Sequence, residues 1–419
     1  MRCPSIVQLD PGLRAIALAV AEGLDGGGHG AWIVGGTVRD LALGLTPKDV
    51  DMATAATPEE IEALFDRTTP VGKAFGTVLV HVRGGDVQLT TFRSEGTYSD
   101  GRRPDEVRFC TSLEEDARRR DFTCNALYLD PRSDDLSDPE NGLADLEAGL
   151  LRCVGDPARR FAEDGLRLLR MARFAAAFHL FIDPNTLDAA RLSLDSLRGV
   201  SPERIWTELE LVCAKPETAR ALELLAEAGV LSALFAHLAD GGDWERRRAV
   251  LRRLRDDAPV GAWLAVLFAG AAEALEGLRA PRAVLAHVAK LWELRAKLTT
   301  IPEGGRAARI RLVREPEWDA LVLLERAWNE RAELLEELVG REGSLAPGEL
   351  HPELLVTSSD LAAVGVPPGP EWGRILRAAE DLQLEGELAT REEALAWLAA
   401  RAGSGSDPTQ DGGKSRRSP

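Results

Sequence analysis

The sequence predicts an α+β fold: a small α/β head followed by a much longer all-α remainder. Three observations predict it. Short apolar runs of strand length, separated by turn residues, occupy the stretch from about Ala31 to Asp130. Helical periodicity rich in Leu, Ala, Glu and Arg runs from Leu143 to about Ala400. The character of the chain switches at Gly142, so strands and helices are segregated rather than alternating.

In chain order, Pro11 to Leu24 predicts an opening helix. Strands are predicted over Trp32 to Val34, Val50 to Ala53, Thr77 to Val82 and Val87 to Phe92. Arg83-Gly84-Gly85-Asp86 predicts a hairpin turn between the last two, its glycines supplying the positive φ angles. Farther on, Pro202, Pro281, Pro302, Pro347 and the Pro367-Pro368-Gly369-Pro370 cluster punctuate the helices. No internal repeat stands out. The breaks divide the chain into a head at 1–150, helical segments at 151–215, 216–335 and 336–402, and an end at 403–419. That end is rich in Gly, Ser, Asp, Lys and Arg without apolar periodicity, and is expected to be disordered.

A length of 419 residues is compatible with about two to four domains. No apolar run approaches membrane-spanning length, and no basic region leads into an apolar core at the N-terminus, so neither a membrane protein nor a secretory signal is expected. The cysteines Cys3, Cys110, Cys124, Cys153 and Cys213 are scattered without a Cys-x-x-Cys pair. That disfavours a disulfide framework or a zinc site and fits a reducing cytoplasm. A formal charge of −17 is unusual for a nucleic-acid binder. Its distribution matters more: arginines crowd Arg102 to Arg173, while acid dominates Glu380 to Glu393.

The densest chemistry lies in Trp32-Ile33-Val34-Gly35-Gly36-Thr37-Val38-Arg39-Asp40 and the following Asp49-Val50-Asp51. After a buried strand, two glycines let backbone N–H groups approach an anionic ligand. Arg39 follows as a phosphate partner. On a strand, residues i and i+2 share a face, so Asp49 and Asp51 are expected to point the same way. Like charges that close repel unless a cation sits between them, and hard carboxylate oxygens beside a phosphate cradle suit Mg²⁺. Either piece alone reads more readily as a plain turn or a solvated loop. Together and in this order they predict metal-dependent nucleotidyl or phosphoryl transfer.

A second constellation is Asp116-Ala117-Arg118-Arg119-Arg120-Asp121-Phe122-Thr123-Cys124-Asn125. Arginine forks match triphosphate oxygens; Asp121 can orient a neighbouring arginine and Asn125 can reach a sugar hydroxyl. The alternative is a charged helix surface. The third, Glu163-Asp164-Gly165-Leu166-Arg167-Leu168-Leu169-Arg170-Met171-Ala172-Arg173, places Asp164 and Arg167 as i, i+3 neighbours, which as an exposed ion pair contributes little. The functional reading is that a carboxylate accepting from an exocyclic amine and an arginine donating to a ring nitrogen select C and A together, and reject U and G.

The Gly-Gly-x-Val-Arg-Asp string, the Asp-x-Asp, Arg119-Arg120-Asp121-Phe122-Thr123-Cys124-Asn125-Ala126 and the Glu-Asp-x-x-Arg helix resemble, in order and spacing, class II tRNA nucleotidyltransferases and bacterial poly(A) polymerases. Asp138-Pro139 with Asn141 to Leu146 resembles that family's head–neck connector, and Ser201 to Ile205 with Glu208-Leu209 its next neck motif. The resemblance implies a nucleotidyltransferase-type head and an elongated all-α neck, body and tail. It implies that Gly36 and Arg39 contact triphosphate, that Asp49 and Asp51 hold Mg²⁺, and that Arg120 contacts the nucleotide. It further implies that Asp164 and Arg167 form the base template, and that Arg170 and Arg173 support nucleotide or phosphate. Two-metal chemistry would follow, one ion activating the RNA 3′-hydroxyl and the other neutralising pyrophosphate. One departure is that Gln88 stands where close relatives often carry a third acid; Asp86, on the same strand face, is a conceivable substitute.

The implied partners are tRNA, ATP and CTP, with no membrane and no protein partner inferable. Arg93 to Pro104 resembles the full flexible loop of members able to add A, which disfavours CC-only addition. CCA addition ranks first, A-only addition second and poly(A) addition third, since poly(A) members tend to carry a basic C-terminal extension. No histidine precedes an aspartate, so the His-Asp phosphohydrolase of some relatives is not expected. A catalytically idle RNA-binding protein remains an alternative of another class, opposed by the intact Asp49/Asp51 pair. Ser358 to Ile375, with Ser359-Asp360-Leu361 and Gly365 to Pro370, resembles the tail of bacterial CCA-adding enzymes; the stretch from Ser358 to about Ala378 is expected to grip RNA, helix N-termini near Ser358-Ser359-Asp360 and Gly369-Pro370 offering N–H groups to phosphates.

Overall fold

The computed structural model describes residues 3–72, 76–95, 107–214, 216–301 and 305–403. It separates into two compact units, Met1–Arg252 with Gly270–Pro281, and Arg253–Ala269 with Arg282–Pro419.

The first unit opens with helix α1 (Pro11–Asp25). Asp10 caps it by accepting from Gly12 N at 2.8 Å, and Pro11 occupies its first turn. Ile16, Ala17, Val20, Ala21 and Leu24 form its buried stripe. Then come β1 (Ala31–Val34), α2 (Gly36–Ala42), β2 (Asp51–Thr54), α3 (Pro58–Leu64), β3 (Thr68–Gly72), β4 (Thr77–Val82) and β5 (Gly85–Thr91). A separate antiparallel ribbon pairs β6 (Arg93–Glu95) with β7 (Val107–Phe109). After α4 (Leu113–Arg118), β8 (Tyr128–Leu129) and β9 (Leu136–Ser137) complete a seven-stranded sheet of order β3-β4-β5-β2-β1-β8-β9. Within it β2 and β5 pair in parallel, Asp51 opposite Gln88; the other neighbours are antiparallel.

Downstream, α5 (Gly142–Glu147) precedes β10 (Leu150–Leu151), α6 (Pro157–Glu163), α7 (Leu166–Ala177), β11 (Phe181–Ile182), α8 (Pro184–Leu192) and α9 (Pro202–Cys213). The parallel pair β10–β11 departs from the expectation that helix alone follows Gly142; two-residue strands are too short to leave a periodic signal. The hairpin also differs in detail. Val82 pairs directly with Gly85, and of the two glycines only Gly84 takes a positive φ, at 107°. The second unit is helical, with Val260–Leu267 buried on every side and Pro370–Glu385 packed on Gly305–Val313 through Ala307, Ile310 and Leu384. Residues 96–106 of the expected loop and 404–419 of the expected disordered end lie outside the described residues.

Candidate active site

The edge of β1 runs straight into the glycine turn. Gly35 sits at φ 63°, ψ −124°, a conformation that favours glycine, and opens α2. A Cβ on Gly35 would lie 3.2 Å from Arg120 Nη1, and one on Gly36 3.4 Å from Arg39 Nη2. Two guanidinium groups therefore border the turn that the sequence marked as an anion cradle.

Arg39 is buried and fixed. Its Nη1 donates to Asn125 Oδ1 at 2.7 Å, and its Nε and Nη2 donate to Asp40 Oδ1 at 3.0 and 2.7 Å. The guanidinium lies over the Phe178 ring at 4.1 Å and near the Phe174 ring at 5.1 Å. The Asn125 amide also donates from Nδ2 to Asp121 Oδ1 at 2.9 Å, so it links Arg39 to Asp121 and aims the arginine.

Asp49 and Asp51 are both exposed. Strand β2 begins only at Asp51, so Asp49 lies in the bend before it, and strand alternation does not set its direction. The carboxylates are nonetheless close enough to interact. Loss of water around Asp51 raises its carboxyl pKa, the Asp49 charge raises it further, and Arg120 acts in the opposite sense. Thr37 Oγ1 bridges this bend, accepting from Asp51 N and donating to Asp49 O, each at 3.4 Å. Among the described residues no side-chain hydrogen bond or ion pair reaches either carboxylate. Gln88 stands beside Asp51 across the parallel pair. Asp86 accepts from or shares a proton with His81 Nδ1 at 2.7 Å, and so is engaged elsewhere. Two carboxylates fit Mg²⁺, which usually takes one or two protein carboxylates plus substrate phosphates and water.

The opposite wall is a network of arginines. Arg120 donates from Nε to Tyr128 Oη at 2.8 Å, from Nη1 to Asn125 O at 3.1 Å and from Nη2 to Asp116 Oδ2 at 3.1 Å. Arg170 donates to Asp121 Oδ2 from Nε at 2.8 Å and from Nη2 at 2.6 Å. Burial pushes the Asp121 carboxyl pKa up, but the Arg170 charge, the Asn125 hydrogen bond and the Arg167 charge outweigh burial and hold it well below the usual carboxylate range. Arg173 pairs through Nε with the buried Glu208 on α9 and lies over Phe174 at 4.3 Å. Gly36, Arg39, Arg120, Arg170 and Arg173 are thus brought into one connected framework. Asp116, Tyr128 and Glu208 belong to it too. Sequence reasoning gave them no role; the only signal was the acidic residue ahead of Arg119-Arg120 and the Glu208-Leu209 motif.

Asp164 and Arg167 do not form the i, i+3 pair that their spacing suggested. The helix breaks between them: Asp164 caps the end of α6 in an extended conformation, and α7 starts after Gly165. A Cβ on Gly165 would sit 2.5 Å from Ser196 O, so close approach of a neighbouring segment requires glycine at this junction. Asp164 accepts from Arg204 Nη2 at 2.7 Å and from Leu166 N at 3.1 Å. Arg167, 8% exposed, donates from Nη1 to Glu163 Oε2 at 2.8 Å and Arg160 O at 2.9 Å, and from Nη2 to Arg119 O at 3.1 Å. Glu163 is the carboxylate that carries Arg167.

In the second unit the two helix starts differ. Thr357 and Asp360 form a capping box ahead of Ser358–Ala363, and Arg391 Nη2 donates to Asp360 Oδ1 at 2.8 Å. A carboxylate already occupies that end, which corrects its reading as an open phosphate site. Gly369, ahead of Pro370–Glu385, provides no side-chain cap.

Comparison with known proteins agrees with this arrangement. A family profile described as "Poly A polymerase head domain" matches residues 31–152, and one described as "Probable RNA and SrmB- binding site of polymerase A" matches residues 179–241. A CCA-adding enzyme of Geobacillus thermodenitrificans is 35% identical over 410 residues, covering 92% of this chain and 96% of the relative. One of Streptococcus mutans is 35% identical over 395 residues, covering 90% and 95%. Among solved structures, the Bacillus stearothermophilus CCA-adding enzyme in complex with CTP matches with a TM-score of 0.74 at 30% identity, over 94% of this chain and 98% of that one. The Thermotoga maritima CCA-adding enzyme complexed with tRNA shares the fold, with a TM-score of 0.71 at 19% identity over 94% and 97%. Full-length similarity at this level, on a head that carries the glycine turn and the aspartate pair, shows that the chain belongs to the CCA-adding enzyme family of nucleotidyltransferases.

Proposed function

We propose that this chain adds CCA to the 3′ end of tRNA from CTP and ATP, releasing pyrophosphate, with Mg²⁺ as its metal and the cytoplasm as its compartment. The observation that carries the reading is the pair of exposed carboxylates Asp49 and Asp51, reached by no ion pair among the described residues, together with the Gly35-Gly36 turn bordered by the Arg39 and Arg120 guanidinium groups. No helix among the described residues is long and apolar enough to cross a membrane.

In this reading Asp49 and Asp51 hold the metal, which when bound lowers the pKa of the RNA 3′-hydroxyl and neutralises departing pyrophosphate. Gly36 and Arg39 receive the triphosphate; Arg39 is already oriented by Asn125, Asp40 and the two phenylalanines. Arg120 contacts the nucleotide, and Arg170 and Arg173 support it from α7. Asp164 and Arg167 read the base: the Asp164 carboxylate accepts from the exocyclic amine, and Arg167, braced by Glu163, donates to the ring nitrogen. Residues 1–150 act as head, 151–215 as neck, 216–335 as body and 336–402 as tail, the Gly369 helix start gripping RNA backbone.

The test is nucleotide incorporation with Mg²⁺ on tRNAs ending before, within and after CCA, each of the four NTPs supplied in turn. CCA addition predicts C then A, stopping once CCA is complete. Extension only of tRNA ending in CC would assign A-only addition. Continued A incorporation on any RNA would assign poly(A) addition. Absence of incorporation with tRNA still bound would leave an RNA-binding protein.

A further inference from the structure

Asp116, on α4, has no accessible surface, yet its carboxylate collects donors from four residues. Oδ1 accepts from Arg119 Nε at 2.7 Å and from Arg93 N at 3.3 Å. Oδ2 accepts from Tyr128 Oη at 2.7 Å and from Arg120 Nη2 at 3.1 Å. Tyr128 Oη in turn accepts from Arg120 Nε at 2.8 Å. Every nitrogen of the Arg120 guanidinium therefore has a protein acceptor, with Nη1 on Asn125 O at 3.1 Å and against Gly35. Both Asp116 oxygens are turned to these donors, and the residue itself is shut away from solvent.

We propose that Asp116, acting with the Tyr128 hydroxyl, is a positioning residue that locks the Arg120 guanidinium against Gly35 and so sets the affinity for the incoming nucleoside triphosphate. The inference rests on the reading that Arg120 contacts the nucleotide. An unrestrained arginine samples many rotamers, and binding would have to order it; here the ordering precedes binding. A carboxylate is the right residue for the task. A neutral side chain at this depth would leave the Arg120 charge without its compensating partner. Tyr128, on β8 beside β1, supplies a rigid second acceptor, so Arg120 is referred both to α4 and to the sheet that carries Asp51.

The test uses the full chain and four variants: Asp116→Asn, Tyr128→Phe, Arg120→Ala and the double Asp116→Asn/Arg120→Ala. KM for ATP, CTP and tRNA, kcat and Tm are measured for each. Asp116→Asn is expected to raise both nucleotide KM values about tenfold and Tyr128→Phe about threefold, with KM for tRNA changed less than about twofold. In the Arg120→Ala background, Asp116→Asn is expected to add less than about twofold, because the residue it positions is gone. A general loss of folding would instead lower the active fraction and add to the effect of Arg120→Ala. Wild-type nucleotide KM in both single variants, with Arg120→Ala impaired, overturns the positioning role; so does full additivity in the double variant. Unchanged nucleotide KM in Arg120→Ala overturns the reading of Arg120 itself. If Asp116→Asn does not fold, Tyr128→Phe, which deletes one hydroxyl, and its double with Arg120→Ala carry the same comparison.

Discussion

Asp49 and Asp51 stand exposed, and no ion pair reaches them among the described residues. Asp116 and Asp121, on the opposite wall, are buried and surrounded by arginines. Their electrostatics run in opposite directions. Desolvation and the Asp49 charge raise the Asp51 pKa. At Asp116 and Asp121 burial also raises the pKa, but neighbouring arginines and hydrogen bonds overcome it and the net shift is downward. A carboxylate pair left in mutual repulsion is suited to a cation brought from outside; a carboxylate saturated with arginines is suited to aiming them. Sequence alone shows four aspartates of one kind, and only the surroundings divide them.

The largest expected effect is on activity at the repelling pair. Asp49→Ala or Asp51→Ala should abolish addition of both C and A, a loss of about a thousandfold or more, while circular dichroism stays that of the wild type. Substantial turnover by either folded variant would remove these residues from the metal role.

Stability at pH 7 should then move with opposite signs at the two pairs. Asp51, whose folded pKa is raised, ionises less readily in the folded chain than in the unfolded one, so Asp51→Asn should leave Tm unchanged or slightly higher without metal. Asp121, whose folded pKa is depressed, contributes stability above its unfolded pKa of about 3.9, lost as pH falls through the folded value. Asp121→Asn should cost about 1–3 kcal/mol at pH 7, and its unfolding free energy should fall less steeply than that of the wild type below about pH 4. Urea unfolding at pH 7 and at acid pH checks both signs; a stabilising Asp121→Asn would break the contrast.

A specificity effect comes next. Asp164→Ala should relax discrimination against U and G by about ten- to two-hundredfold, more than it slows incorporation of the correct nucleotide. Single-nucleotide competition assays measure this, and wild-type rejection of U and G would exclude Asp164 from base reading. The smallest effect is expected at the tail. Truncation there would uncover Ala307 and Ile310 and break the Arg311–Glu380 and Arg314–Glu380 pairs, so a point change is cleaner. Gly369 has extended backbone and open space around a Cβ, so Gly369→Asp should fold and place a negative charge at the helix start. KM for tRNA should rise about threefold with KM for ATP unaltered. Unchanged KM for tRNA would exclude this helix start as a grip.

Much of the head was legible because its signals are local. The apolar run at Trp32 to Val34, the glycines after it and the capped helix from Pro11 each depend on adjacent residues. What the sequence hid lies across long separations or in single breaks. Arg39 finds Asn125 86 residues away, and Arg170 finds Asp121 49 residues away; no spacing rule reports such partners. The Asp164–Arg167 pairing assumed one helix through residue 165, but Asp164 takes an extended conformation and a new helix starts after Gly165. Asp49 was given strand geometry although it lies two residues before β2 begins. At the tail, the Thr357-to-Asp360 spacing was itself a capping signature, and reading it as one would have removed that helix start from the list of phosphate sites.

If the repelling pair, rather than the arginine-bound pair, holds the metal, titration of Mn²⁺ into the nucleotide-free chain will show it through the loss of the free-ion electron paramagnetic resonance signal. The expected result is a site in the wild type that survives Asp121→Asn and disappears in the double variant Asp49→Ala/Asp51→Ala. Undiminished Mn²⁺ binding by that double variant would take the metal away from Asp49 and Asp51.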